Sequence, residues 1–482
     1  MRTVHRLTFM GWVLLSLVGE GCGAAPPTRI TLDGGTRFQT VEAWATIPRY
    51  WEEDKANDRF DRSFEPYVDA VARFLVEDVG INAVRLELLS GTENPHAYWR
   101  RFYTGQIGYR EYATHRYEKI NDNADPDIEN VSGFQFDVFD YRVETAVLPL
   151  KRALEARGER LQINVCYVDF RSNASAGRTL QGNLSHAHDP SEFAEFVLVY
   201  FRHLREKYGL SPDSFELVLE PENTADWRGR EIGRALVVVS DRLRENGFEP
   251  EMLAPSNTSM GNAITYFDEM IEVPGVLNRL NTFVYHRYRT QNTSDVERIW
   301  SRARATGVKT AMLETIDHGI DTLLEDLTVG HVSSWQLWGP AGRLQDGDGG
   351  AVYALVDTTS DPTSPRISRT RRSDELAHVF RHVRSGAVRI ASTSSPSTQT
   401  AAAFINADGT WAVVVRTRAA TESLTIEGLP PGQYGLRFTG DAGSRVDSRT
   451  STVPASGTLT TSTPERGVLT VYGLARTTTS RR

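Results

Sequence analysis

Between residues 38 and 384 short apolar runs alternate with amphipathic helical stretches, and this alternation restricts the fold more than any other feature of the chain. The strand candidates are 39–46, 82–88, 162–168, 214–220, 251–255, 282–286, 309–314 and 332–338. Helix candidates follow them at 64–79, 139–156, 192–208, 231–246, 264–271, 295–305, 320–328 and 374–383. A helix after every strand carries the chain back over one face of a parallel sheet, and eight such units close most simply into a (β/α)8 barrel of the α/β class. Ser191 after Pro190, and Ser294 with Glu297 three residues on, predict N-caps, while Gly80, Gly209 and Gly307 predict helix ends.

After Gly386 the pattern changes to strand-like segments at 387–391, 400–405, 411–417, 422–426, 432–439 and 467–472, separated by Gly, Pro, Asn, Asp and Ser. These predict an all-β sandwich at 385–475, with a disordered tail at 476–482.

Arg2 and Arg6, the apolar run 7–18 and the small residues around Cys22 read as a secretory signal over residues 1–25. Two readings of it stand: acylation of Cys22 as a lipid anchor, or ordinary cleavage near Ala24 or Ala25. In both the mature protein is exported, secreted or held at the cell surface or in the periplasm. The apolar run falls short of the roughly 20 residues a membrane span needs. A net charge of -8, without a long basic run, argues against nucleic acid as a partner. Cys166, inside an apolar strand, is expected to pack in the core.

In a (β/α)8 barrel, chemistry sits at the C-terminal strand ends, which ring one pocket. Arg85, Glu220, His286, Tyr288, Glu314 and Trp335 occupy those positions. Carboxylates on the fourth and seventh strands face each other across the mouth, and a pair about 5 to 5.5 Å apart suits glycoside hydrolysis with retention by double displacement. The nucleophile must stay ionised, which a cation and a donor such as Arg85 and Tyr288 favour; the acid must keep its proton, which burial favours. Glu314 is therefore expected as nucleophile and Glu220 as acid/base.

Leu219-Glu220-Pro221 resembles the Asn-Glu-Pro acid/base motif of glycoside hydrolase clan A, and Ala311-Met312-Leu313-Glu314 its nucleophile strand. His286-Arg287-Tyr288 is similar to the clan's sixth-strand pair, and Ser334-Trp335-Gln336-Leu337-Trp338 to its aromatic eighth strand. The opening Phe38-Gln39-Thr40-Val41-Glu42-Ala43-Trp44-Ala45 and the closing run 380–390 are most similar to glycoside hydrolase family 30. This resemblance implies retaining cleavage of β-linked oligo- or polysaccharides with no metal or organic cofactor. It also implies a sandwich fused to the barrel and joined by an early strand within 26–37. The clan's Asn, which holds the sugar 2-hydroxyl, is Leu219 here, with Asn223 as a replacement donor and Glu222 as a competitor for the acid/base role.

Several residues carry two readings. Arg85 serves as a structural partner of Glu87 or a loop, as a sugar ligand, or as both, and Trp335 or Trp338 either fills the mouth or offers a flat face to a pyranose, with Trp335 the better match. Trp44, Tyr50 and Trp51 are weaker candidates for subsite walls. His186, His188 and Asp189 have a spacing open to a metal but read as a polar loop. The Gly- and Asp-rich loop at 346–350 reads as a lid, and the long loop 91–133 as a cover that sets specificity. Two rival functions use the same fold: a carbohydrate-binding protein without chemistry, and a transglycosidase.

Overall fold

The computed structural model describes residues 28–173, 177–288, 292–347, 351–397, 399–443 and 445–474. The signal segment with Cys22, positions 348–350 of the lid loop and the tail 476–482 lie outside these residues. No helix among the described residues is long and apolar enough to cross a membrane.

Eight parallel strands form a closed barrel in chain order. They are β1 (Ala43–Thr46), β2 (Ala83–Leu89), β3 (Gln162–Val168), β4 (Ser214–Glu216), β5 (Glu251–Asn257), β6 (Leu280–His286), β7 (Lys309–Glu314) and β8 (Val332–Gln336). Strand alternation divides each of them into a lumen face and a helix face. Leu253, Val284, Ala311 and Leu313 form one apolar cluster, and Ala43, Ala45 and Ala83 another. Residues of the other parity, such as Trp44, Met312 and Trp335, pack in the larger core shared with the helices.

Three strand predictions needed shortening, the eighth because its strand ends at Gln336 rather than Trp338. Gln39 and Thr40 end the N-terminal strand Thr28–Thr40, and the barrel strand starts only at Ala43. β4 stops at Glu216, and Glu220, four residues on, takes a left-handed backbone (φ 46°) that no regular strand accommodates. Both predicted N-caps also moved back: Asp189 caps the helix Pro190–Tyr208 and Asn292 caps Thr293–Thr306, each through its side-chain oxygen. Gly80 closes its helix at φ 101°, and a Cβ there would meet the Phe380 backbone at 2.5 Å, so only glycine fits.

The lid region is more regular than expected. Gly339–Arg343 and Val352–Val356 pair in parallel, and Ile367–Arg369 adds an antiparallel strand. Loop 91–133 holds two short helices, Tyr98–Tyr103 and Tyr109–His115.

The C-terminal strands form a nine-stranded sheet that includes Thr28–Thr40, which pairs antiparallel with Val388–Ser395 and parallel with Thr421–Glu427. Ile30, Ile390, Val413, Ile426, Phe438 and Val471 belong to its separate core. Barrel and sandwich meet at the last helix, Arg371–Phe380, where buried His378 bonds to the hydroxyls of Thr470 (2.8 Å) and Thr439 (2.9 Å).

Candidate active site

The carboxylate of Glu314 lies at the end of β7 against a wholly buried cation. Arg85 on β2 donates one guanidinium N–H to Glu314 Oε2 and another to the Leu313 carbonyl at 3.2 Å. Strict alternation after Ala311 and Leu313 would turn Glu314 away from the lumen. A register shift brings it level with His286 instead. Tyr288 completes the cradle, its hydroxyl donating to Glu314 Oε1 at 2.5 Å. Burial alone would raise this carboxyl; the Arg85 charge, with His286 and the Tyr288 hydrogen bond, outweighs it and holds Glu314 below the usual range.

Glu220 follows β4 and faces the opposite balance. Burial and the charge of Glu314 raise it, against the hydrogen bond from His286. His286 Nδ1 lies 3.1 Å from Glu220 Oε1, and Asn223 donates to Glu220 Oε2 at 2.8 Å. The other ring nitrogen, Nε2, lies 3.0 Å from the Ser256 hydroxyl, which in turn donates to Glu216. With Nε2 bearing a proton toward Ser256, Nδ1 is the nitrogen left to exchange a proton with Glu220. Oxygens of Glu220 and Glu314 and a His286 nitrogen all lie within 4.8 Å of one another. Side-chain exposures of 11% for Glu220 and 7% for Glu314 show that both reach solvent.

Residues 386–471 match the family model described as the glycosyl hydrolase family 30 beta sandwich domain. The chain is similar to glycoside hydrolase family 30. Its fold is that of the catalytic domain of family 30 xylanase C from Talaromyces cellulolyticus, with a TM-score of 0.63 at 14% identity over 93% of this chain and 100% of that one. The family 30 subfamily 8 xylanase from Clostridium acetobutylicum superposes with a TM-score of 0.62 at 13% identity, covering 93% of this chain and 100% of its own. An endo-β1,6-glucanase gives 0.61 at 15% identity, covering 94% and 96%. No curated protein sequence matches the chain.

Within this family 30-like frame, six of the eight predicted site residues gather at the mouth: Arg85, Glu220, Asn223, His286, Tyr288 and Glu314. Trp335 does not. Its indole is wholly buried on the helix face of β8, bonded to Asp326 at 2.9 Å and tilted against Phe380, because Ser334 and Gln336 take the lumen parity. Trp338, past the strand end, is half-buried at the rim; its backbone N–H donates to the Thr315 carbonyl and the Arg49 guanidinium lies 5.8 Å from its ring. Arg287 likewise points outward to Asp326 and Glu325. Trp44 stacks on Phe380 and Tyr50 on Phe64, so both are packing residues, while half-buried Trp51 bonds to Ser63.

The alternatives resolve the same way. Glu87 pairs with Arg142 at 2.8 Å, leaving Arg85 to Glu314. Glu222 accepts from Asn257, Thr258 and Asn262, which tie it to the β5 end and away from the pair. Leu219 packs with Leu89, Cys166 and Val168, so an apolar patch stands beside Glu220. His186 is buried between Tyr167 and Glu93, and Asp189 caps a helix, so His186, His188 and Asp189 do not form a ligand set.

Sequence reasoning missed Glu216, Asn164 and Ser256. Glu216 is a third, wholly buried carboxylate, held by Asn164 (3.0 Å) and Ser256 and 3.8 Å from Arg85. Its lumen parity on β4 was readable; Ser256, with φ 60°, gave no signal.

Proposed function

We propose that this protein is an exported retaining glycoside hydrolase acting on β-linked oligo- or polysaccharides. The observation that carries the reading is the pair of adjacent carboxyls whose surroundings drive them in opposite directions, Glu314 down and Glu220 up. Glu314 attacks the anomeric carbon as Glu220 gives its proton to the leaving oxygen, and a glycosyl ester forms on Glu314. Esterification removes the Glu314 charge, which lowers the proton affinity of Glu220 and fits it to take a proton from the attacking water. Water then replaces Glu314 at the anomeric carbon, with overall retention.

Arg85 and Tyr288 hold the nucleophile ionised, Asn223 and His286 orient the acid/base, and Trp338 offers a flat face at the rim. The sugar edge next to Leu219 meets an apolar patch instead of a side-chain amide. Xylanases and a β1,6-glucanase superpose almost equally well, so the shared fold does not select the sugar.

The test is Glu314→Ala on a polysaccharide panel and on activated aryl glycosides. Activity should vanish, and azide should restore turnover with a glycosyl azide of inverted configuration. Full activity in that variant would remove Glu314 as nucleophile. Glycan binding by the unaltered chain without turnover would instead favour a binding protein, and sugar-acceptor products a transglycosidase.

A further inference from the structure

The lumen of a (β/α)8 barrel is ordinarily filled by layers of bulky branched side chains. One side of this lumen is not. Ala311 on β7 pairs with Ser334 on β8, Ser334 with Ala43 on β1, and Ala45 with Ala83 on β2. These small side chains on four neighbouring strands line a cavity of about 270 Å3 at the N-terminal end of the barrel, the end away from Glu220 and Glu314. Leu313 lines it too, and its carbonyl accepts from Arg85, so the cavity lies one layer beneath the catalytic pair.

Gln336, paired with Ala45, is wholly buried and lines the same cavity, yet neither its Nε2 nor its Oε1 has a hydrogen-bond partner among the described residues. A buried primary amide left unpaired is costly on its donor and its acceptor side alike. The wall around it is mixed, with Leu253 and Leu313 apolar and Thr282 and Ser334 carrying hydroxyls. The charged groups at the partly exposed end are engaged with one another. Lys309 bonds Glu42 and Glu251, each at 2.6 Å, and Arg160 bonds Asp213 at 2.6 Å. An ion entering there would have to break one of these pairs, whereas a neutral molecule with C–H faces and hydroxyl edges fits the wall as it stands.

Size narrows the class. A cavity of about 150 Å3 holds the six carbons of benzene, so 270 Å3 takes about ten or eleven non-hydrogen atoms. We propose that this cavity binds one neutral polyhydroxyl compound of about five carbons, a polyol or a free pentose, with the Gln336 amide as its polar anchor. The site is separate from the Glu220 and Glu314 mouth and does not depend on the hydrolase reading.

The experiment titrates xylitol into the full chain by calorimetry and by ligand-observed NMR, with xylonate, the acid of the same carbon number, as the charged counterpart. The expected result is saturable binding of one xylitol per chain and none of xylonate. Gln336→Leu keeps the bulk of the side chain but removes both amide atoms, and should weaken xylitol binding about tenfold. Ala43→Leu fills the cavity and should abolish binding. Trp338→Ala changes only the rim of the mouth, so its xylitol affinity should equal the parent's, which separates this site from the proposed glycoside site. No xylitol binding by either method, which would leave the cavity to water alone, would overturn the proposal. So would xylonate binding as tight as that of xylitol, an unchanged affinity in Gln336→Leu, or loss of binding in Trp338→Ala. Every readout is binding rather than turnover, so the outcome is distinct from that of the glycoside tests.

Discussion

Arg85, wholly buried in the lumen, donates to both the carboxylate of Glu314 and the carbonyl of the residue before it. One guanidinium thus fixes the position and the charge of the proposed nucleophile, and it also lies 3.8 Å from Glu216. Arg85→Met would leave two buried carboxylates uncompensated, at a cost of about 3 to 5 kcal/mol shared between stability and activity. Glu314 would then hold its proton to higher pH. The acid limb of the kcat/KM profile should move upward in this variant; an unmoved limb would separate Arg85 from nucleophile ionisation.

Glu220 is raised by burial and by Glu314, so it should set the alkaline limb of activity while Glu314 sets the acid one. Glu220→Gln should lower turnover of substrates with poor leaving groups by about 10² to 10⁴, spare activated aryl glycosides more, and remove the alkaline limb. Equal losses on both substrate types would argue against proton donation by this residue.

The two tryptophans of the eighth strand region should separate cleanly. Trp338→Ala removes a rim surface and should raise KM with little change in unfolding. Trp335→Ala removes a wholly buried ring and its bond to Asp326, and should cost about 3 to 5 kcal/mol in denaturant unfolding. A Trp335 variant of full stability with weakened substrate binding would reverse these assignments.

His378 ties the last barrel helix to the sandwich. Burial first, and then Arg437, His382, Arg369 and Arg381, hold it well below its ordinary 6.5. Below about pH 6.5 the unfolded chain takes up a proton that the folded one refuses, so stability rises with pH through this window and falls as the solution is acidified. Thermal unfolding should therefore drop between about pH 7 and pH 5, and His378→Gln should flatten that slope. An unchanged slope would place the acid sensitivity elsewhere.

Sequence alone determined the alternation of eight strands and helices, the sandwich after it, the strand that carries Arg85 and the strand ends on which His286 and Glu314 stand. Those are properties of local periodicity, which a chain carries before it folds. Tertiary structure decided what alternation could not. The register shift that turns Glu314 into the mouth, and the left-handed backbone of Glu220, both break the period-two rule at the positions that matter. Trp335 and Trp338 are alike in composition, and only the parity of β8 and the end of its strand send one into the helix layer and leave the other at the rim. The meeting of Glu93, Asp122 and Glu192 was equally invisible, because they are dispersed over a loop and a helix and come together only through long-range packing.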